Sequence, residues 1–247
     1  MDGLIYTAMT GAKQIMELQA TATNNLANVS TTGFRAQYDS FRAVPVVGGS
    51  GNPTRTYVVD STVGSNFAPG PLQQTGNNLD VAVQGNGWIA VDMGNGSEAY
   101  TRNGSLKVSS NGELQTWDGH AVLGVNGPIT LPPGEKVQIG SDGTVSSIPE
   151  TGVMSSVNVE GQIKLVNPPT STMTRGDDGY FRLSSGKPAD GDPTVKLVSG
   201  ALEGSNVNAV ASMVDIINMS QQFSIQMKLL TNAESNESKA SQLMTLA

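Results

Sequence analysis

Residues 85–127 read GNGWIAVDMGNGSEAYTRNGSLKVSSNGELQTWDGHAVLGVNG, and Asn-Gly or Asp-Gly pairs recur in them every seven to nine residues, at 86, 95, 103, 111, 118 and 126. These dipeptides tolerate the positive φ angles of type I′ hairpin turns. Short apolar runs lie between the pairs, at 88–91, 106–108 and 121–123, and later runs lie at 157–159, 163–166 and 195–198. Strands of about five residues joined by tight turns are predicted, which is typical of an all-β domain.

The N-terminal end has a helical pattern. Steps of four and three, the periodicity of one coiled-coil face, separate Leu4, Ala8, Gly11, Ile15, Leu18, Ala22, Asn25 and Val29. A second stripe beside it contains Ile5, Ala12, Gln19 and Leu26. We expect a helix of about 27 residues that stops near 30–33, where Gly33 can take a left-handed C-terminal conformation.

A longer helix is predicted at the C-terminal end. Ser205 or Asn206 can cap its start, and steps of three and four separate Met213, Ile216, Ser220, Phe223, Met227 and Leu230. This stripe is widened by Val210, Val214 and Ile217. Residues 207–247 contain neither Gly nor Pro, so we expect a single helix of roughly 35 to 40 residues.

The chain between these helices divides into two parts. Residues 34–76 alternate aromatic and β-branched residues around a Gly-rich centre at 47–53, which predicts an extended, hairpin-like β connector with a mobile tip. Residues 77–204 form the predicted all-β domain. The terminal helices, in 1–33 and 205–247, are longer than one face of that domain can cover. They therefore bury against each other, against copies of themselves, or both.

The composition excludes several classes of function. Lys and Arg total 14 against 21 Asp and Glu, a net charge of −7, which disfavours nucleic-acid binding. The chain has no Cys and one His, so thiolate chemistry and His-rich metal sites are absent. We therefore predict no cofactor, no metal and no enzymatic activity. We also predict no membrane insertion, because no apolar run approaches roughly 18 residues. The start lacks a secretory signal pattern.

Three short motifs have ordinary explanations. Arg175-Gly176-Asp177 spells an adhesion tripeptide, but the Asp178-Gly179 that follows makes a turn equally good. The aspartates at 177, 178, 190 and 192 lack the spacing of a helix-loop-helix calcium site and are interpreted as solvated turn acids. The Gly-x-Gly at 85–87 precedes a strand, which does not support a dinucleotide site. His120 is expected to be an exposed turn residue.

Longer motifs resemble a known family. Residues 24–35, NNLANVSTTGFR, are similar to the N-terminal signature of bacterial flagellar rod, hook and hook-associated proteins. Further similar segments are 75–88 (TGNNLDVAVQGNGW), 100–106 (YTRNGSL) and 202–208 (LEGSNVN). Trp88 stands where relatives often carry Phe, and we expect it to keep the apolar contact. Within the family the chain is most similar to proximal rod subunits, with distal rod subunits as the nearest alternative.

The resemblance implies a fold that is mainly β with long terminal α-helices. It implies that the two helices pair as a coiled coil facing the axis of a tube, with the β domain outside. The implied function is structural: a basal-body rod subunit in the periplasm that assembles helically and transmits torque from motor to hook. Its implied partners are copies of itself, other rod proteins and the type III export apparatus, through which it passes without a cleaved signal.

Two sets of residues are therefore predicted to matter. The predicted assembly interface comprises Leu4, Ala8, Gly11, Ile15, Leu18, Ala22, Leu26, Val210, Met213, Ile217, Phe223, Met227 and Leu230. The signature comprises Asn24, Asn25, Leu26, Ala27, Asn28, Thr32, Gly33 and Phe34. A secreted β-rich adhesin that uses Arg175-Gly176-Asp177 is the alternative from another class. A hydrolase reading has no carboxylate pair that can be placed.

Overall fold

The structure, a computed structural model, describes residues 2–45, 56–94, 96–149 and 157–245. It is mainly β with one long helix near each end, as predicted. Contacts group the chain into two units, each described separately below. The helical unit contains residues 1–28, 36–66 and 207–247, and the β unit contains residues 29–35 and 67–206.

The helical unit consists of two helices and two strands. Helix α1 spans Asp2–Ala27, helix α2 spans Ala209–Thr245, strand β1 spans Gln37–Pro45 and strand β2 spans Thr56–Ser65. α1 and α2 contact each other. β1 pairs antiparallel with β2, and a bulge shifts their register between Ser40 and Phe41. The predicted tip of this hairpin, residues 47–53, lies outside the described residues.

Both helix ends differ from the prediction. α2 is capped by Asn208, whose Oδ1 accepts a hydrogen bond from the Ala211 N–H at 3.1 Å, and not by Ser205 or Asn206. α1 ends at Ala27, six residues before Gly33. Gly33 does have a positive φ of 69°, but it serves a tight contact described below and not the end of the helix. The length of α2, 37 residues, agrees with the prediction.

The β unit contains sixteen strands among its described residues. They are β3 (Leu72–Gln74), β4 (Val81–Gln84), β5 (Trp88–Asp92), β6 (Glu98–Thr101), β7 (Leu106–Val108), β8 (Leu114–Thr116), β9 (Ala121–Gly124), β10 (Gly127–Pro128), β11 (Glu135–Ile139), β12 (Thr144–Pro149), β13 (Asn158–Gln162), β14 (Leu165–Val166), β15 (Met173–Arg175), β16 (Phe181–Leu183), β17 (Lys196–Ser199) and β18 (Ala201–Glu203).

Antiparallel pairing joins these strands into four sheets. The largest has nine strands, ordered β15-β16-β6-β5-β9-β8-β7, with β10 beside β9 and β14 beside β5. The others are β11-β12-β13, β17-β4 and β18-β3. β18 is the last strand of the β unit before α2. The predicted division at 34–76 and 77–204 stays a prediction, because residues of the connector fall in both units.

Turns form at some of the predicted pairs, such as 111–112 and 118–119, but they are of another type. A type I′ turn needs positive φ at both central residues, and among the described residues only glycines have positive φ. In four turns the glycine N–H closes the turn onto a carbonyl three residues earlier, from Gly112, Gly119, Gly143 and Gly179. This is a type I turn whose last residue is a left-handed glycine, with Asn or Asp just before it.

The core of the β unit lies between its sheets. Val81, Ile89, Leu114, Val122 and Val145 are completely buried in one cluster. A second cluster contains Trp88, which is buried against Phe67 and Phe181 at ring-centroid distances of 5.9 and 4.6 Å. Trp88 therefore makes the apolar contact that was expected of it.

Two valines three residues apart test how far this core determines stability. Val122 is 0% exposed and Val125 is 62% exposed. We expect Val122→Ala to lower the free energy of unfolding by about 2 kcal/mol, because it removes two buried methyl groups and leaves a cavity. Val125→Ala, the matched control, should change it by less than about 0.5 kcal/mol. Urea denaturation measures both, and equal effects would contradict the assigned core.

Candidate functional site

The first candidate surface lies on α1. Ala8, Ile15 and Ala22 of the predicted interface are buried, and Gly11, Leu18 and Leu26 are half-buried. A Cβ at Gly11 would lie 3.6 Å from the side-chain amide of Gln226 on α2, so this face of α1 packs on α2. Leu4 lies in the helix, but its side chain is outside the described set.

The covered face of α2 differs from the predicted stripe. Its half-buried or buried residues step by four and three: Ser212, Ile216, Met219, Phe223, Gln226, Leu230 and Ala233. Phe223 and Leu230 of the predicted interface belong to this covered face. Val210, Met213, Ile217 and Met227 are exposed instead. The covered face also includes polar residues outside the predicted stripe, such as Ser212 and Gln226.

Both helices also carry apolar residues that stay exposed in the described part of the chain. Tyr6, Met9 and Met16 on α1 are each more than half exposed, at separations of three and seven residues. The exposed apolar residues of α2 are Val210, Met213, Val214, Ile217, Ile225, Met227 and Leu229. We call these ten residues the outer helix face.

Few charges interrupt the two helices. α1 carries three charged residues among 26, and α2 carries five among 37. Many large apolar residues exposed on one pair of helices often mark a site where another macromolecule packs. Exposed methionines are common on surfaces that adapt to different partners, because the thioether chain is flexible. No helix in the described ranges has the length and hydropathy needed to cross a bilayer.

The signature residues occupy the passage from α1 to β1. The side-chain amide of Asn25 donates to the Gln37 carbonyl at 2.7 Å, and its Oδ1 accepts from the Gln37 N–H at 2.8 Å. This pair imitates the two bonds of a β ladder and ties the end of α1 to the start of β1. Asn28 donates to the Asn24 carbonyl through both its backbone and its side chain, which closes the last helical turn. Leu26 is half-buried and Ala27 is exposed.

The second half of the signature belongs to the β unit. The Thr32 hydroxyl donates to Oδ1 of Asn103 at 2.8 Å. A Cβ at Gly33 would lie 2.4 Å from the backbone of both Arg102 and Asn103. Only a glycine allows the chain to approach that backbone so closely, and its positive φ excludes most other residues independently. Two of the family-like segments, 24–35 and 100–106, therefore contact each other in the β unit.

Phe34 explains the Arg-Gly-Asp tripeptide. The Arg175 guanidinium lies 4.5 Å from the centre of the buried Phe34 ring, and its Nη1 donates to the Arg35 carbonyl at 3.3 Å. Burial lowers the pKa of Arg175. Because Arg175 is engaged within the β unit, the tripeptide does not present a free arginine to a receptor. This contact argues against the adhesin alternative.

A buried ion cluster lies next to Phe34. The Glu203 carboxylate accepts hydrogen bonds from Arg35 Nη2 at 2.8 Å and from Arg102 Nη1 at 3.0 Å. Its Oε1 also accepts from the Gly70 N–H at 2.9 Å. All three side chains are almost completely buried. We call them the Arg35–Glu203–Arg102 cluster.

Arg102 is fixed further by the β unit. It donates to the carbonyls of Val83 and Gly85 at 3.3 and 2.6 Å, and it lies 5.3 Å from the centre of the Trp88 ring. Burial lowers the pKa of Arg102, and the neighbouring Glu203 charge opposes that shift. The sequence patterns did not predict this cluster. Each of its members is the one charged residue of a family-like segment, 24–35, 100–106 or 202–208, and that isolation could have indicated a shared buried site.

The turn acids and His120 have structural roles. Asp178 is ion-paired with Arg182, whose hydrogen bonds lower the pKa of Asp178. Asp192 accepts from Thr194, which lowers its pKa likewise. No group of three metal-binding side chains occurs in the described residues. His120 was expected to be exposed, but it is half-buried with its ring edge-on to Tyr180 at 5.1 Å.

A comparison of two glycines with nearly equal φ distinguishes two effects of substituting Gly33: backbone strain and a clash with neighbouring atoms. Gly33 (φ 69°) meets the Arg102 backbone, whereas nothing lies within 4 Å of a Cβ at Gly76 (φ 73°). We expect Gly76→Ala to cost about 1 kcal/mol of unfolding free energy from the left-handed backbone alone. Gly33→Ala should cost clearly more. Urea denaturation of both variants measures the difference, and equal losses would refute the packing role of Gly33.

Comparison with known proteins supports the family resemblance. Three family models match: "Flagella basal body rod protein" at residues 5–35, "Flagellar hook protein FlgE/F/G D1 domain" at 82–147, and "Flagellar basal body rod FlgEFG protein C-terminal" at 198–243. Together they include both helices, the signature and the first half of the β unit.

Curated relatives match along the whole chain. The flagellar basal-body rod protein FlgF of Escherichia coli is 47% identical over 253 residues, covering 100% of both chains. The FlgF of Salmonella typhimurium is 44% identical, again over 100% of both. The flagellar basal-body rod protein FlgG of Bacillus subtilis is 30% identical, covering 93% of this chain and 94% of its own. The chain therefore belongs to the flagellar basal-body rod protein family.

Proposed function

We propose that this protein is a structural subunit of the flagellar basal-body rod. The outer helix face is the observation that carries this proposal, because it leaves ten large apolar side chains uncovered in the single chain. Burial against the helices of neighbouring subunits removes that surface from water, at roughly 25 cal/mol per Å² of apolar area. The neighbours are copies of this chain and other rod proteins.

The covered faces of α1 and α2 support a coiled-coil arrangement within each subunit. Ala8, Gly11, Ile15, Leu18 and Ala22 step by three and four along α1. The covered face of α2 has the same steps, and this spacing keeps two supercoiled helices in register. In the assembled rod we place these helices at the axis of the tube and the β unit on its outside.

The contacts between subunits are proposed to be heterologous. A face of one subunit then meets a different face of the next, and such contacts build open helical arrays. A rod of this kind is rigid because interlocked helices resist sliding, and it transmits torque from motor to hook. The role is mechanical and non-catalytic.

Similarity favours the proximal part of the rod. The FlgF relatives are 47% and 44% identical, against 30% for the FlgG relative, so a distal position is the second candidate. The proposed location is the periplasmic rod of the basal body. Export through the flagellar type III apparatus suits a chain with no cysteine, which forms no disulfides during passage in an unfolded state.

Two valines of similar exposure test whether the outer helix face is the assembly surface. Val210 on α2 is 72% exposed and Val159 on β13 is 68% exposed. We expect Val210→Asp to fold normally, since a carboxylate is favourable in the first turn of a helix. It should nevertheless abolish swimming and reduce the amount of this subunit in isolated basal bodies, because it places a charge in an apolar contact.

The same substitution at Val159 is the control and should leave swimming and rod occupancy near the parental level. Circular dichroism of both purified variants confirms that each is folded. If Val210→Asp swims normally with parental occupancy, the outer helix face is not buried in the rod.

A further inference from the structure

One buried carboxylate contacts every segment through which the chain passes between the two units. Those segments are 29–35, 67–71 and 203–206, and all three belong to the β unit. Glu203 lies in the third, its Oε1 accepts from Arg35 in the first, and the same oxygen accepts from the Gly70 N–H in the second. We call these the three crossing segments.

Backbone hydrogen bonds join the same segments. The Gly33 N–H donates to the Glu203 carbonyl at 2.7 Å, and the Asn206 N–H donates to the Phe34 carbonyl at 3.3 Å. The Gly204 N–H donates to the Pro71 carbonyl at 2.8 Å, and the Asn206 side chain donates to the Ala68 carbonyl at 2.8 Å. The β18–β3 ladder, in which Glu203 pairs with Leu72, fixes the register of the third segment beside the second, whereas the first segment belongs to no described strand.

The anchor of this arrangement is Arg102. It is held by two carbonyls and by the Trp88 ring, so its position is determined by the core of the β unit. Glu203 connects that anchor to Arg35 and Gly70. A buried ion cluster adds little stability compared with apolar residues of the same volume, because desolvation offsets the attraction. What it supplies here is directional contact: planar guanidinium groups meet carboxylate oxygens in few geometries.

We propose that Glu203 is a positioning residue that holds the three crossing segments in one arrangement, so that the chain enters and leaves the β unit at fixed points. The consequence for assembly rests on the proposed rod function. The positioning itself does not, since it is a property of the free subunit. Neither the family motifs nor the outer helix face assigns this role to Glu203.

The test measures the spread of distances between two crossing segments in the full-length protein. Ser30 and Ala68 are exposed and lie in the first and second segments, and the natural chain has no cysteine. Ser30→Cys and Ala68→Cys therefore accept spin labels at these two sites only. Electron paramagnetic resonance should give a narrow distance distribution for this labelled parent.

Glu203→Gln in the labelled parent should broaden the distribution, because the amide lacks the charge that holds both guanidinium groups. Near-UV circular dichroism, which reports the packing of Trp88, should remain parental. Asp178→Asn is the control, since it breaks the exposed pair with Arg182 in the same unit, and its distribution should stay narrow. A folded Glu203→Gln protein with a parental distribution overturns the proposal.

A second variant covers the case in which Glu203→Gln does not fold, because that change leaves two guanidinium groups buried without their carboxylate. Arg35→Met, Arg102→Met and Glu203→Leu together leave no charge in the cluster, and this triple variant should fold. Its distance distribution should be broad, since thioether and aliphatic side chains do not impose the geometry. A narrow distribution in the folded triple variant also overturns the proposal.

Rod occupancy then separates the two proposals. If the unlabelled parent enters basal bodies and the folded triple variant does not, the positioning by Glu203 is required for assembly. If the folded triple variant enters at the parental level, the role in assembly is wrong. If the parent itself is absent from the rod, the proposed function fails, while the distance measurement on the free subunit still decides the role of Glu203.

Discussion

The arrangement of the three crossing segments depends on the hydrogen bonds that the Glu203 carboxylate accepts. This carboxylate is completely enclosed, and two guanidinium groups and one backbone N–H satisfy its oxygens. A carboxylate without such partners would be very costly to bury. The three residues must therefore be brought together for the β unit to close, and the family signature, the 100–106 segment and the segment before α2 meet at this point.

The signature has a physical explanation in two parts. Its first half ties α1 to β1 through Asn25, and its second half packs Gly33 and Phe34 into the β unit. Each part depends on one residue type. Asn25 needs an amide that both donates and accepts, and Gly33 needs a residue without a Cβ. The first half of the motif is therefore held within the helical unit and the second half within the β unit.

Some apolar residues of the two helices are covered within the subunit and others stay exposed. The inner faces contain small and polar side chains, such as Ala12, Ser212 and Gln226, and they are covered within the subunit. The inner faces also contain Ile15, Phe223 and Leu230, whereas apolar residues of the outer helix face, such as Met16 and Ile217, stay exposed. Residues that look like core in the sequence are thus available at the surface, which suits a protein that completes its packing in an assembly.

Local patterns in the sequence determined the helices, the strand-and-turn middle and the positions of some turns. Helical periodicity and the left-handed preference of glycine act between residues a few positions apart, so they can be read without the fold. The sequence did not determine that the Asn-Gly turns are type I with a final glycine, or that Asn208 caps α2. Those depend on how neighbouring strands and segments meet. Tertiary structure alone decided which face of α2 is covered and that Glu203 meets Arg35, 168 positions away, since such contacts exist only once the whole chain is folded.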